Sequence, residues 1–400
     1  MQASEKTQVV VAGAGPVGTV MALSLARRGV QVVLCEKHPH RAQDLRASTF
    51  HPPTLEILDD LGVVDPIIDY GLKAPIYHYR ERQTGETIAF DFAELAGDTR
   101  FPFRIQCEQH VMAGMVASEL ESLPNVEVLY NHAVVAFEQS ETGVSVHVES
   151  PLTMRHFEAD YLVAADGGNS IIRKWLDVEF DGFTYPEKFL CLSTERELRD
   201  DFTDLASVNY VSDAREWLVL LRAPSAWRVL LPVRDEVPDA ELLTDTFKER
   251  VFTDLVGDPD VETVHRTVYR VHQRVAESFN FGRVFLVGDA AHLNNPLGGF
   301  GMNSGIHDAW NLHGKICESL EHGHEPAPFE KFDRQRRAVT HSFIQAQTIQ
   351  TKRFLEYSGE ERHEERLNEM RDIAADDTKR RAFILRQSMI QSLRDANAIE

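Results

Sequence analysis

Residues 9–36 read VVVAGAGPVGTVMALSLARRGVQVVLCE. Val9, Val10 and Val11 form the short β-branched run of a buried parallel strand. Gly13–Gly18 follow, then a helical stretch from Thr19 to Arg28 that Gly29 stops. Val30–Glu36 reads as a second strand, which completes a βαβ unit. Within the turn, Gly13 permits the tight bend, Gly15 lets backbone approach a pyrophosphate, and Gly18 lets helix and strand pack. Pro16 and Val17 complete this phosphate-binding turn, and the helix N-terminus offers unpaired N–H groups to the phosphates. Glu36, followed by Lys37, closes the second strand, where a carboxylate accepts hydrogen bonds from ribose hydroxyls and repels a 2′-phosphate. The expected ligand is an adenine dinucleotide.

The chain around this unit has 400 residues, 43% of them hydrophobic and 26% charged, so it is a globular protein with room for two domains. Its 42 Lys and Arg against 63 Asp and Glu give a net charge of −21, which argues against nucleic acid or an anionic membrane surface as a partner. The apolar run Val9–Ala26 is broken by glycines and a proline and reads as strand, turn and helix rather than a signal or membrane segment. Cys35, Cys107, Cys191 and Cys317 lie far apart, with no CxxC and no Cys/His cluster. Four reduced thiols in a cytoplasmic protein are expected, with no metal site.

Further along, helices are expected at Thr54–Leu61 and Val111–Leu123. Strands are expected within Tyr77–Phe92 and at Val126–Leu129, Ala133–Gln139, Val144–Val148 and Tyr161–Ala165. Leu190–Thr194, Leu205–Val211, Trp217–Arg222 and Trp227–Val233 are spaced like an antiparallel sheet. Val284–Val287 returns to the buried parallel style, and after Phe329 the chain is charged and helix-prone. The fold class is therefore α/β: a Rossmann-like dinucleotide-binding domain with an inserted antiparallel-sheet domain and a C-terminal helical segment. The first comprises residues 1–75, 100–185 and 270–335, the second 76–99 and 186–269, the third 336–400. Arg334–Arg337, Arg362–Arg366 and Lys379–Arg381 read as solvated helix faces. Phe343, Ile344, Ile349, Phe354 and Leu355 are apolar positions for packing on the core or on a second subunit, which leaves a homodimer open.

Two more motifs stand at strand ends. Ala165-Asp166-Gly167-Gly168-Asn169-Ser170 follows one strand, with Arg173 behind it. Val284–Val287 ends in Gly288-Asp289-Ala290-Ala291-His292, then Asn295-Pro296-Leu297-Gly298-Gly299-Phe300-Gly301-Met302-Asn303 and a helix from Ser304. An Asp at a strand end can bind a polyol hydroxyl. The glycine-rich loop brings backbone N–H groups to a helix N-terminus, able to stabilise developing negative charge.

In this order and spacing, the three motifs resemble the single-component FAD-dependent aromatic hydroxylases, the para-hydroxybenzoate hydroxylase family, over residues 8–345. Tyr269-Arg270-Val271-His272-Gln273-Arg274 looks like the branch that includes 4-nitrophenol monooxygenases and 3-(3-hydroxyphenyl)propionate hydroxylases. The resemblance implies FAD in the first site, with NADH or NADPH as cosubstrate, no separate nucleotide domain for it, and O2 as oxidant. It implies that Gly13, Gly15 and Gly18 hold the FAD pyrophosphate, that Glu36 holds the ribose and that Arg46 lies near the pyrophosphate. Gln109 stands on the flavin side, an alignment for which Glu108 competes. Asp166 lies between FAD and nicotinamide regions, and Gly288-Asp289 reaches the ribityl chain. Pro296 with Gly299, Gly301, Met302 and Asn303 lies along the flavin ring.

On the substrate side, Tyr210 parallels a family tyrosine that helps deprotonate a phenol, but it reads better as a half-buried strand aromatic. Arg222 and Arg228 fall near arginines that hold a substrate carboxylate or steer the flavin, or they are solvated strand-end residues. His51 approaches the ring site or caps a helix, and His292 is structural. The implied reaction is hydroxylation of a small activated aromatic, a phenol or hydroxypyridine, through a flavin C4a-hydroperoxide. The protein supplies placement, electrostatics and water exclusion. An unperturbed phenol has a pKa of about 10, so an acceptor or cation is needed to favour the phenolate. The alternative is an FAD-dependent dehydrogenase or reductase on the same fold. A flavin halogenase lacks support because its Trp-x-Trp-x-Ile word is absent.

Overall fold

A computed structural model describes residues 4–41, 47–213, 216–355 and 360–400. The stretch that opens the chain forms strand Val9–Ala12, helix Pro16–Ala26 and strand Val32–Glu36. Every residue of both strands is buried, as expected where helices or sheets cover both faces of a parallel sheet. A six-stranded sheet grows around them in the order Asn280–Phe281, Val284–Leu286, Tyr161–Ala164, Val9–Ala12, Val32–Glu36, Val126–Tyr130. All its pairings are parallel except that of the edge strand Asn280–Phe281. In the register of this sheet Ala12 lies beside Ala164, and Ala164 beside Leu286. The three sequence motifs therefore leave the sheet together at its carboxyl edge, where open α/β sheets bind ligands.

A second sheet has eight strands, in the order His292–Leu293, His265–Ala276, Phe180–Thr194, Trp227–Arg234, Leu218–Arg222, Val208–Ser212, Ile76–Glu81, Thr87–Asp91. Alternation along its strands sends neighbouring side chains to opposite faces. Val211, Leu218, Leu220 and Val229 pack on one face against Leu242, Val251 and Phe252. Tyr210, Val219 and Leu230 face the other way, in a cluster with Tyr77, Tyr79, Phe354, Leu355, Met370 and Ile384. One face is thus covered by the helices within 239–256 and the other by the C-terminal helices.

The structure differs from the sequence reading in several places. The strand expected at Leu190–Thr194 begins at Phe180 and crosses from one expected domain to the other. Its register against His265–Ala276 shifts between Thr184 and Lys188, around Pro186, which has no N–H to give the ladder. Helix Asp245–Val256 lies in the stretch read as sheet; Val251 and Phe252 form its buried side. Ile349 is 44% exposed, whereas Phe343, Ile344, Phe354 and Leu355 are buried within their own chain. The basic clusters are not simply solvated faces either. Arg380 pairs with Glu94 at 2.7 Å and Arg381 with Asp98 at 2.5 Å, which holds the C-terminal helices on the sheet edge, and Arg336 is fully buried. Among the described residues no helix is long and apolar enough to cross a membrane.

Candidate active site

The glycines of the first turn divide into two kinds. A Cβ on Gly18 would stand 1.8 Å from the Gly13 carbonyl oxygen, and one on Gly13 (φ +99°) would stand 2.4 Å from that of Ala165. These two allow helix, turn and neighbouring strand to meet. A Cβ on Gly15 would meet nothing within 4 Å. Gly15 opens helix Pro16–Ala26, with Pro16 at its first position, so the exposed helix N–H groups face open space. A pyrophosphate fits that space.

The carboxylate of Glu36 is buried beside the same turn. It accepts from the Ala14 amide at 2.9 Å on one oxygen and from the His38 amide at 3.0 Å on the other. Each oxygen keeps a lone pair for a hydroxyl. Lys37 next to it is exposed, and Arg46 lies outside the described residues. Asp166 accepts from the Ile171 amide at 2.9 Å through Oδ2, while its buried Oδ1 has no partner. Burial raises its pKa against the hydrogen bonds it accepts. An orphaned carboxylate oxygen at this edge fits a bound hydroxyl or amide.

Gly288 and Asp289 turn out of strand Val284–Leu286 on a network beneath them. Asp308, fully buried, accepts from the Gly288 amide at 3.1 Å, from His292 Nε2 at 2.7 Å and from Arg336 Nε at 2.6 Å. His292 is thereby a structural residue. Val17 lies against Gly288, where a Cβ would come within 3.0 Å of it.

The loop Pro296–Gly299 is braced on both sides. Asn303 accepts from the His51 amide at 3.0 Å and donates to the Thr49 and Gly299 carbonyls at 2.8 and 2.7 Å. Its side chain ties the loop down instead of capping the helix Phe300–His322, whose N-cap is Gly299. His51 is wholly buried beneath the loop, with Nε2 2.8 Å from the Gly298 carbonyl oxygen and its ring stacked on Phe300. Burial, together with the Arg104 charge, holds its pKa well below the ordinary histidine value, so it is neutral. It offers helix Pro52–Asp60 no side-chain cap. Gly301 and the largely buried Met302 lie on the first turn of the helix that follows the loop.

Tyr210 faces this loop from the second sheet. Burial raises its pKa, and the Arg104 guanidinium and the Gly298 amide pull against that. Its ring meets Tyr77 edge-on at 6.0 Å. Tyr77 and Tyr210, with Tyr79, Phe354, Leu355, Met370, Phe383, Thr351 and Gln387, line an apolar pocket between the sheet and the C-terminal helices. Two of these lining residues are tied together, the Tyr79 hydroxyl donating to the Phe354 carbonyl.

Other expected residues are spread around this centre. Gln109 begins helix Gln109–Glu121 and is half-buried. Glu108 beside it is committed elsewhere: it accepts from the Ser225 hydroxyl and amide at 2.5 and 3.1 Å and from Tyr70. Burial pushes the Glu108 carboxyl up, but the Ser225 groups and the Arg228 charge hold it below the ordinary value. Arg228 is buried near Glu108. Arg222 points away from the pocket, donating to the Ala223 carbonyl and standing 3.5 Å from Glu197.

Sequence reasoning missed Arg104. It lies on strand Arg104–Gln106, is 1% exposed, and sits between the rings of Tyr77 and Phe92 at 4.8 and 4.7 Å. No local pattern marks it, because the groups around it come from distant parts of the chain.

Comparison with known proteins places this geometry. The family model described as FAD binding domain matches residues 6–347. The para-nitrophenol 4-monooxygenase of Pseudomonas sp. (strain WBC-3) is 32% identical over 337 residues, covering 83% of each chain. The 6-hydroxy-3-succinoylpyridine 3-monooxygenase HspB of Pseudomonas putida is 34% identical over 344 residues, 84% of this chain and 85% of that one. Among solved structures, p-nitrophenol 4-monooxygenase PnpA from Pseudomonas putida DLL-E4 superposes with a TM-score of 0.90 at 28% identity, covering 98% of this chain and 99% of that one.

Proposed function

The chain belongs to the FAD binding domain family, and from that premise we propose that it is an FAD-dependent monooxygenase that hydroxylates a small aromatic ring, using NADH or NADPH and O2. The observation that carries the reading is the convergence of three strand ends: Ala12, Ala164 and Leu286 lie side by side in the parallel sheet, so the Gly13–Gly18 turn, Asp166 and the Gly288–Asn303 segment leave it at one edge. Relatives named as monooxygenases of a nitrophenol and a hydroxypyridine favour oxygen insertion over a dehydrogenase or reductase. The substrate class is accordingly a phenol or hydroxypyridine.

FAD, when bound, accepts the hydride and supplies the activated oxygen. The rest is done by this chain. Gly13–Gly18 with the first turn of helix Pro16–Ala26 hold the pyrophosphate, and Glu36 holds the ribose. Asp166 and Asp289 take hydroxyl or amide contacts along the cofactor. The amides of the Pro296–Asn303 loop and the end of helix Phe300–His322 favour negative charge at the ring. The C-terminal helices exclude water from the pocket, which keeps oxygen transfer from being wasted. In this reading residues 1–75, 100–185 and 270–335 serve the flavin, 76–99 and 186–269 serve the substrate, and 336–400 close the site.

The test is anaerobic reduction of the FAD-loaded protein by NADH or NADPH, timed with and without a panel of phenols and hydroxypyridines. Acceleration by one ring compound, followed by its hydroxylated product on admitting O2, is the expected result. Reduction indifferent to every aromatic, with no oxygenated product, would overturn it in favour of a reductase.

A further inference from the structure

Two irregularities of the backbone meet beside the loop at the flavin end. Strand Phe180–Thr194 breaks register between Thr184 and Lys188, and Tyr185 stands in the break. The helix that begins at Pro326 widens to π-helical over Thr340–Gln345 before it continues as Ala346–Leu355. Breaks of both kinds re-aim side chains and are frequent at functional sites. The first brings the Tyr185 hydroxyl, and the second the Thr348 hydroxyl, to one residue: Gln273 on strand His265–Ala276, which is 1% exposed. Tyr185 donates to Gln273 Oε1 at 3.4 Å, and Gln273 Nε2 donates to the Thr348 hydroxyl at 3.2 Å.

The bonds run in one direction, from the loop to the helix. The Leu297 amide donates to Asn295 Oδ1 at 3.0 Å, Asn295 Nδ2 to the Tyr185 hydroxyl at 3.1 Å, and the Asn295 amide to Gln273 Oε1 at 3.3 Å. Thr348 donates in turn to the Ile344 and Gln345 carbonyls, 3.0 and 2.9 Å away at the end of the π-helical turn. Asn295 and Thr348 are wholly buried, so a donor or acceptor of this chain is costly to leave unmade. Gln273 joins loop to helix because its side-chain amide accepts at one end and donates at the other. A second tie runs beside it: Lys352, one turn beyond Thr348, pairs with Glu187 at 2.6 Å and lies over the Tyr185 ring. The loop so held, Pro296–Gly299, lies between Gly288 and Gly305, which both pack on Val17 of the glycine turn.

We propose that Gln273 is a positioning residue for the flavin: through Asn295 and Thr348 it fixes the Pro296–Gly299 loop on the C-terminal helix, and so sets how strongly the loop favours the reduced cofactor. This deepens the proposed reading and rests on its placement of the loop along the flavin ring. Amides of the loop and the start of helix Phe300–His322 stabilise negative charge to the extent that they are held in place beforehand. Without a side chain that bonds both ways, the loop loses its tie to helix Ala346–Leu355 and its amides are no longer held. Reduced flavin carries the added electrons, so its binding weakens more than that of oxidised flavin and the potential falls. Residues 336–400 thereby belong to the flavin site as well as to the pocket wall.

The experiment is a redox titration of the FAD-loaded protein against a reference dye, with no aromatic substrate present, together with hydrogen exchange of the loop amides. In Gln273→Leu and in Thr348→Val the preference for reduced over oxidised FAD should fall at least fivefold, about 20 mV for a two-electron couple, and exchange of the loop should quicken. The double variant should shift the potential no further than Gln273→Leu alone, because both changes cut one chain. Thr348→Ser keeps the hydroxyl and should keep the potential. Thr340→Val removes a buried hydroxyl that bonds only the Arg336 carbonyl of its own helix, and it should leave the potential unchanged. Should Gln273→Leu fail to retain FAD, Thr348→Val against Thr348→Ser decides alone. The inference fails if Thr348→Val keeps the unaltered potential, if Thr340→Val shifts it as far, or if the two shifts add in the double variant. None of these outcomes depends on an oxygenated product. A protein that shows the shifts but never hydroxylates a ring would keep this inference and sink the monooxygenase reading. One that hydroxylates phenols while the potential stays fixed in Thr348→Val would do the reverse.

Discussion

Arg104 and Arg336 are each 1% exposed, and they belong to regions built on opposite principles. Around Arg336, on helix Pro326–Val339, the charge is paired and the region in that sense closed, although its Nη1 has no partner. Asp308 faces it at 2.6 Å, His292 shares the same carboxylate, and the Ser304 carbonyl accepts a further bond at 3.3 Å. Around Arg104 there is a carbonyl, two aromatic faces, the Tyr210 hydroxyl and no carboxylate. One region carries a charge whose partner the chain itself provides, directly beneath the Gly288–Asp289 turn. The other carries a charge with no carboxylate partner, behind the pocket-lining Tyr77 and Gln387. A buried arginine is therefore informative by its missing partner rather than by its burial.

The comparison is broken most directly at Asp308. In Asp308→Ala, Arg336 is left buried and unpaired, and the loss of stability is expected at about 3–5 kcal/mol. Urea unfolding of the FAD-loaded protein measures it, and FAD content should fall with it because the Gly288 amide loses its acceptor. A loss below about 1 kcal/mol would mean that the closed region tolerates a lone charge as the open one does.

A smaller effect comes from protons in the closed region. His307 is wholly buried and donates to or accepts from Thr54 at 3.1 Å. Burial, with the Arg336 charge, lowers its pKa to about 3. In the unfolded chain a histidine titrates near 6.5, so between about 6.5 and 3 the unfolded state binds the extra proton. Stability is then complete above about pH 6.5 and falls as the pH drops, by up to about 1.4 kcal/mol per unit from this group, or roughly 2 kcal/mol at pH 5. His307→Asn should flatten the stability curve over that interval. An unchanged slope would show that His307 does not stay neutral.

The same contrast explains what the sequence could disclose. Gly13, Gly15, Gly18 and Glu36 act within one βαβ unit, so their spacing is enough to reveal both the parallel sheet and its ligand. The Gly298–Asn303 loop is legible for the same reason, since strand end, turn and helix start are contiguous. Arg104 depends on residues 77, 92, 210 and 387, which only the eight-stranded sheet and the returning C-terminal helices bring together. Only Phe92 lies within a dozen residues of it, and a lone phenylalanine does not mark a buried arginine. Arg222 shows the opposite limit: its sequence neighbourhood suggested a substrate contact, but strand Leu218–Arg222 ends on the side of Glu197. The Arg334–Arg337 cluster looked like a solvated face because its composition is polar, although one of its members had a buried aspartate waiting on another helix.

The open region makes its own stability prediction. Arg104→Met removes a charge with no counter-ion and puts an apolar chain of similar length between Tyr77 and Phe92. It forfeits one hydrogen bond to Gln387, worth about 1 kcal/mol, and relieves the desolvation of the guanidinium. Without substrate, the unfolding free energy should stay within about 1 kcal/mol of the unaltered protein or rise. A loss as large as that of Asp308→Ala would place Arg104 with Arg336 as a structural residue.

Arg222→Gln sharpens the comparison from the weak end. Arg222 is half-buried, and its guanidinium lies 3.5 Å from a Glu197 carboxylate that is itself partly in solvent. Glu197 also accepts from the Trp227 indole at 2.8 Å and from the Arg199 amide, so removing Arg222 does not strand it. Pairs of this kind contribute about 0–1 kcal/mol. Stability should change by less than that, because Glu197 keeps its other two donors. A loss well above about 1 kcal/mol in Arg222→Gln would show that the Glu197 cluster, like the Asp308 one, depends on its arginine.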